Sequence, residues 1–332
     1  MDVEGFRAYL VERGFGEDEV DGLVAVAERF DRYAGSSNGP SLATQLDAFS
    51  QILIDEGGNT DRVFWALALY GRFTGDDPLY RAILAFLDGA EALGNLHDRL
   101  GAELGEAERD RVFDGIALPP LGTPADRLPE YTERVMTRLE EQVDRGVVEA
   151  VLSECLRDLD DAWFVEARDR YEELGDVDAF LEWRREQLIE TLERCHHERR
   201  PWFAQEITEA VLEYVREHPE ISSGVRVGDE IVEVKIPHMT DRWLSADDDR
   251  ERRYHYCHCP WVKETLRDDR VEIPAVFCAC SAGFHKRFWE VVLGRPLTAE
   301  IRESVLAGDD RCTIAIRLPD DVVPESRAGA TG

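Results

Sequence analysis

The chain has 332 residues, enough for roughly two domains with a sizeable core. Its 70 acidic and 39 basic side chains leave a net charge of −31, which repels phosphate backbones and anionic lipid surfaces and excludes nonspecific nucleic-acid binding. The longest apolar run, Val63 to Tyr70, falls far short of the ~20 residues of a spanning helix, and Met1-Asp2-Val3-Glu4 has no basic leader. These features predict a soluble cytoplasmic protein with no membrane and no nucleic-acid partner.

The first 220 residues read almost entirely as helix. Asp2 caps a helix ending near Gly14, and Glu17 to Tyr33 repeats Val20, Leu23, Val24, Ala27 and Phe30 at helical spacing, so residues 1–34 form a helical hairpin. Gly35-Ser-Ser-Asn-Gly-Pro40 breaks the pattern. A helical array then occupies 41–218. Its helices lie near 41–56, 61–73, 78–88 (opened by Asp76-Asp77-Pro78), 90–104 and 106–113. Leu118-Pro-Pro-Leu-Gly-Thr-Pro124 and Pro129 interrupt the helices, which resume near 130–143, 146–157, 161–174, 177–198 and 202–217.

At His218-Pro219 the character changes. Val225 to Ile236 predicts a hairpin turning at Gly228-Asp229, Thr240 to Arg253 a polar helix, and Tyr254-His-Tyr-Cys257 an extended stretch. A helix from Ala282, with Phe284, Phe288, Val291 and Val292 on one stripe, stops at Gly294. Strands near 297–306 and 311–318 follow, joined by Gly308-Asp-Asp310, and the second sets Cys312 on the same face as Ile314, Ile316 and Leu318. The fold class is α+β: a large all-helical N-terminal region, then a small α+β module over 219–320, with 321–332 predicted as a disordered tail.

Composition adds one more signal. Lysine occurs only at Lys235, Lys263 and Lys286, and the other 36 basic residues are arginine. Few lysines among dense carboxylates predict a halophilic surface, because concentrated salt shortens the Debye length and shields self-repulsion. Arginine bias from a GC-rich genome explains the missing lysine but not the excess acid.

Five of the seven cysteines (Cys257, Cys259, Cys278, Cys280 and Cys312) lie within 56 residues, where even scattering would place about one. Cytoplasmic thiols stay reduced, which excludes a disulfide framework. Clustered thiolates are soft ligands for zinc or iron. Residues i and i+2 of an extended strand stand ~6.6 Å apart, against ~3.8 Å for two thiolates on one zinc, so each Cys-x-Cys pair must bend to chelate. Buried free thiols and a metal-free redox or nucleophilic site are the alternatives. Cys195-His196-His197 reads as a solvated helix face, and Cys155 and His97 as residues without chemistry.

The segment Cys280-Ser-Ala-Gly-Phe284, Gly294-Arg-Pro-Leu297 and Gly308-Asp-Asp-Arg-Cys312-Thr-Ile-Ala-Ile resembles the end of the 4-vinyl reductase domain, a small α/β ligand-binding module. It is also similar to the end of the L-2-amino-thiazoline-4-carboxylate hydrolase family. From Asp61 to Pro319 the chain resembles an uncharacterised prokaryotic family with the hallmarks Pro119-Pro-Leu-Gly122, Lys235-Ile-Pro237, Cys257-His-Cys-Pro-Trp261 and Cys278-x-Cys-Ser-Ala-Gly-Phe284. Zinc-holding 4-vinyl reductase domains imply ligands at Cys278 and Cys312, but Ser304 and Ile301 stand where the strand cysteine and the glutamate would be. Cys257 and Cys259 supply replacements, giving a metal set of Cys257, Cys259, Cys278 and Cys312. The hydrolase resemblance implies attack on a C–N bond of a small heterocyclic or amide-like substrate, with Cys280 as nucleophile and His258, His285 and Glu264 as proton carriers. The alternatives are a small-molecule or metal sensor or carrier, and a helical scaffold stapled by structural zinc.

Overall fold

Polar side chains at the helix starts set the first elements. In the computed structural model, which describes residues 1–36, 42–268 and 270–322, five helices run from the N-terminus: α1 (Val3–Glu12), α2 (Glu17–Ser36), α3 (Leu42–Asp55), α4 (Asp61–Thr74) and α5 (Asp77–Leu87). Asp2, Thr60 and Asp76 accept the amides of Gly5, Val63 and Leu79, each satisfying a donor that the helix leaves unpaired. The predicted Gly35–Pro40 break from residue 37 on, and the predicted tail from 323 on, lie outside the described residues.

Contacts divide the chain into two units, the first made of Met1–Ala90, Ile116–Thr132 and Cys259–Thr265, the second of Glu91–Gly115, Glu133–His258 and the chain from Leu266 on. The core of the first gathers Phe6, Leu10, Phe30, Phe49, Phe64, Leu67 and Leu79 from its helices. Gly122 and Trp261 anchor it. Gly122 has φ +88°, and a Cβ there would come 2.2 Å from Ser50 Oγ and 2.5 Å from the Phe64 ring, so only glycine fits. Trp261 is 4% exposed; its indole N–H donates to Gly89 O at 2.7 Å, and its own carbonyl accepts from Thr132 Oγ1 at 3.0 Å.

The second unit holds α6 (Ala92–Leu104), α7 (Glu106–Phe113), most of α8 (Leu128–Gln142), α9 (Arg145–Leu152), α10 (Val165–Leu174), α11 (Val177–His197) and α12 (Glu209–Glu217). Its later elements are β1 (Val225–Val227), β2 (Glu230–Val234), α13 (Thr240–Ser245), α14 (Asp249–Tyr256), α15 (Ala279–Leu293), β3 (Ala299–Glu303) and β4 (Thr313–Arg317). The four strands form one antiparallel sheet in the order β1-β2-β4-β3. The α+β expectation therefore holds at the level of a mostly helical chain with a small antiparallel sheet near its end.

Alternation along the strands sorts the sheet's faces. Ile231, Ile314, Ile316 and Leu318 pack with Ala282, Trp289 and Val292 of α15 and Phe180 of α11. Val234 and Ile236 pack on the other side with Leu192 and Cys195 of α11 and Val211, Leu212 and Val215 of α12. Both faces of the sheet are thus covered. Cys195 is buried in this second core, not on the solvated face its charged neighbours suggested.

Two further differences bear on the site. Tyr254 to Tyr256 continue α14 instead of running extended, because Asp248 accepts the amides of both Arg250 and Glu251 and starts a helix there. The last long helix begins at Ala279, and Phe284 is 44% exposed. The small residues Ala279, Ala282 and Gly283 occupy the buried side in its place. No helix among the described residues is long and apolar enough to cross a membrane.

Candidate functional site

Polar side chains gather where α15 begins above one end of the sheet. The antiparallel register sets Glu233 opposite Ile314 and Val234 opposite Thr313, and one step further the Lys235 N–H donates to Cys312 O at 3.0 Å. Glu233 and Lys235 lie two residues apart and share the face under α15 with Ile231. On α15 the matching residues are Ser281 and His285, one turn apart on the same side. Lys235 Nζ donates to Ser281 Oγ at 3.0 Å, and His285 Nδ1 donates to Glu233 Oε1 at 3.0 Å.

Lys235 is the hub. Besides the Cys312 and Ser281 bonds, its carbonyl accepts the Tyr256 hydroxyl at 2.5 Å. Tyr256 immediately precedes Cys257, and Ser281 follows Cys278 by three residues. The lysine is therefore tied to the segments that carry Cys257, Cys278 and Cys312.

Two of these thiols, Cys278 and Cys312, are held well above the ordinary thiol range. Burial pushes Cys278 up to about 12, with hydrogen bonding to Ser304 offsetting part of the rise and charge on Cys312 and Cys257 adding to it. Cys312 is pushed up to about 11, again chiefly by burial, with Lys235 opposing and Cys257 adding. Thiols held this high are protonated at neutral pH. Cys278 Sγ, just ahead of α15, stands 3.2 Å from Ser304 Oγ. Ile301, which replaces the implied glutamate, packs into the apolar core.

The other predicted residues are dispersed. Cys280 is 3% exposed and its thiol donates to Phe277 O at 3.0 Å. Burial raises it as well, so in this state it offers no thiolate nucleophile. His258 donates from Nε2 to Ile236 O at 2.7 Å, and its ring lies 5.0 Å from that of His238. Cys259 and Glu264 belong to the first unit, where the Cys259 carbonyl accepts the Lys263 amide. None of the seven cysteines is joined in a disulfide. Among the described residues, no three His, Cys, Asp or Glu side chains stand in the arrangement of a metal centre.

Glu233 and Arg184 were missed by sequence reasoning. The Glu233 side chain is 3% exposed. Both guanidinium nitrogens of Arg184 lie 3.4 Å from its oxygens, one of them also donating to Ser223 O at 2.7 Å, and the guanidinium sits over the Phe288 ring. Burial alone would raise the carboxyl, but the charges and hydrogen bonds of Arg184 and His285 outweigh it and hold Glu233 at about 2. Its pKa lies below the ordinary 4.5, so its stabilisation is full above about pH 4.5 and is lost as pH falls toward 2. Glu233→Gln is expected to cost on the order of 3 kcal/mol at pH 7. Urea melts should show wild type and variant converging between about pH 5 and pH 2; a constant gap across that window would remove the ion pair from the account.

Comparison of the chain with protein-family models, characterised proteins and solved structures finds no match.

Proposed function

We propose that the second unit binds a soft divalent metal, zinc first and iron second, through the thiolates of Cys257, Cys278 and Cys312. The observation that supports it is that Lys235 is hydrogen-bonded to all three segments that carry these cysteines, through the Cys312 carbonyl, Ser281 and the Tyr256 hydroxyl. The donor chemistry fits, since soft ligands select such ions and none of these thiols is consumed in a disulfide. Burial keeps Cys278 and Cys312 protonated, and a metal is what would hold such thiols as thiolates. Binding would require Cys278 to exchange its contact with Ser304.

A second reading, hydrolysis of a C–N bond in a small heterocyclic or amide-like compound, is favoured by the Glu233–His285 pair. A carboxylate on Nδ1 fixes the ring tautomer and leaves Nε2 for proton transfer. A bound metal would supply Lewis-acid chemistry, and the residues that handle a proton beside it would be His285, oriented by Glu233, with Ser281 one turn away.

Metal analysis tests the first reading. Untagged protein purified and reconstituted with zinc under reducing conditions should carry about one ion per chain. Cys278→Ser and Cys312→Ser should each remove most of it, and Cys195→Ser should not. Chelation should lower the melting temperature of the wild type but not of the two metal-poor variants. Failure of the wild type to retain zinc would overturn the reading.

A further inference from the structure

The residue after Cys280 goes further; it rests on the second reading, the opening of a C–N bond, and supplies a nucleophile for it. The Cys280 thiol, which the sequence offers for this role, is 3% exposed and committed to Phe277 O. One residue on, Ser281 is half-buried, and its hydroxyl accepts from Lys235 Nζ at 3.0 Å. A nucleophile and its base stand within this reach of each other.

Lys235 is held at both ends of its backbone. Its N–H donates to Cys312 O at 3.0 Å and its carbonyl accepts the Tyr256 hydroxyl at 2.5 Å, so the side chain starts from a fixed point. Its amine is placed differently from that of Lys286, which bonds Glu154 at 2.9 Å and stands 3.8 Å from Glu290. A carboxylate beside a lysine holds it as ammonium, and an ammonium has no lone pair with which to take a proton. Among the described residues Lys235 Nζ bonds the Ser281 hydroxyl alone. The carboxylate two residues away, Glu233, is committed to Arg184 and His285. His285 follows Ser281 by one helical turn on the same side of α15, and with Nδ1 donating to Glu233 its Nε2 is left as a proton acceptor.

We infer that Ser281 is a nucleophile activated by Lys235, that it forms an acyl-enzyme with a small amide, and that His285 is the base that releases the acyl group. In the first half, Ser281 Oγ bonds the amide carbon while its proton passes to the neutral amine of Lys235. The carbonyl electron pair moves to oxygen and returns as the C–N bond breaks, and the leaving nitrogen takes the proton from Lys235. In the second half, water adds to the ester carbon and gives its proton to His285 Nε2, whose new charge Glu233 balances. The bond from that carbon to Ser281 Oγ then breaks, and Oγ takes the proton back. One amide and one water become a carboxylic acid and an amine, with every side chain restored.

The test uses the full-length folded chain with a fluorophosphonate, with p-nitrophenyl acetate, and with acetanilide, succinamide and hydantoin as small amides. Peptide mapping should find the phosphonyl group on Ser281, absent after Ser281→Ala and after unfolding in urea. Lys235→Met should slow the labelling at least about a hundredfold, the usual worth of a general base. Lys235→Arg keeps the charge but cannot take a proton, so it should be as slow, whereas it would rescue a lysine with a merely structural role. His285→Gln should keep the fast first release of nitrophenolate and then stall, with the acetyl group left on Ser281. Absence of label from Ser281, or Lys235→Arg reacting as fast as wild type, overturns the nucleophile and its base. Normal turnover in His285→Gln overturns the role of His285. If Lys235→Met fails to fold, the Ser281 adduct and the Lys235→Arg rate still decide. Amide hydrolysis that survives Ser281→Ala overturns the nucleophile and leaves the C–N reading standing; a labelled Ser281 in a protein that cleaves none of the amides does the reverse.

Discussion

Gly283→Ala is expected to destabilise the protein by about 3 kcal/mol or more, lowering the melting temperature by roughly 10 °C. A Cβ at Gly283 would sit 1.8 Å from the Ser153 carbonyl oxygen and 2.5 Å from its carbonyl carbon. The obstacle is backbone at the end of α9, which cannot rotate away as a side chain would. Accommodating the methyl means separating α15 from α9, and with it the start of α15 from the thiols and Lys235. Gly94→Ala is the control, because Gly94 lies in α6 and a Cβ there would meet nothing within 4 Å. There alanine should be neutral or stabilising by up to about 1 kcal/mol through helix propensity alone. Equal melting temperatures for the two variants would contradict the close approach of α9 and α15.

Raising potassium chloride from about 0.1 M to about 2 M is expected to raise the melting temperature by roughly 10 °C or more. Two electrostatic effects compete. Most of the ion pairs are between partly exposed groups, as in Arg62–Glu19 and Arg302–Glu300, and salt screens away the ~0–1 kcal/mol that each contributes. Against them stands the mutual repulsion of 31 uncompensated negative charges, which acts over the whole surface and is relieved as the Debye length shortens from ~10 Å to ~3 Å or less. The imbalance of charge sets the sign. A flat or falling melting curve would show that the acidic surface is no adaptation to salt.

The helices were legible where a cap and an apolar stripe coincide, as at Asp2, Thr60 and Asp76. The inward face of Cys312 was legible too, since Ile314, Ile316 and Leu318 share its alternation. Glu233 and Lys235 were not. They interrupt Ile231, Val232, Val234 and Ile236 in a strand covered on both faces, and alternation cannot say which face a charge looks to when neither meets solvent. Tyr254-His-Tyr256 imitated a strand because aromatic residues favour both strands and packed helices, and the double acceptance by Asp248 decided for helix. Phe284 imitated a core residue by its spacing, but it is 44% exposed, and the close approach to the end of α9 is made at Gly283. The motifs divide in the same way: Gly122, Trp261 and Gly283 are packing residues, while Lys235 bonds Ser281 and Tyr256, neighbours in sequence of Cys278 and Cys257.

The lysines carry a consequence for how the protein can be marked. Lys263 and Lys286 are each 7% exposed, the latter held by Glu154 at 2.9 Å. Lys235 is half-buried against Ser281, and the N-terminal amine is paired with Asp31 at 3.0 Å. The folded surface is thus nearly without free primary amines. Acetyl transfer, isopeptide tagging and sugar aldehydes, all of which need such a group, are left with no exposed lysine to attack, and a lasting chemical mark on this protein falls to other side chains.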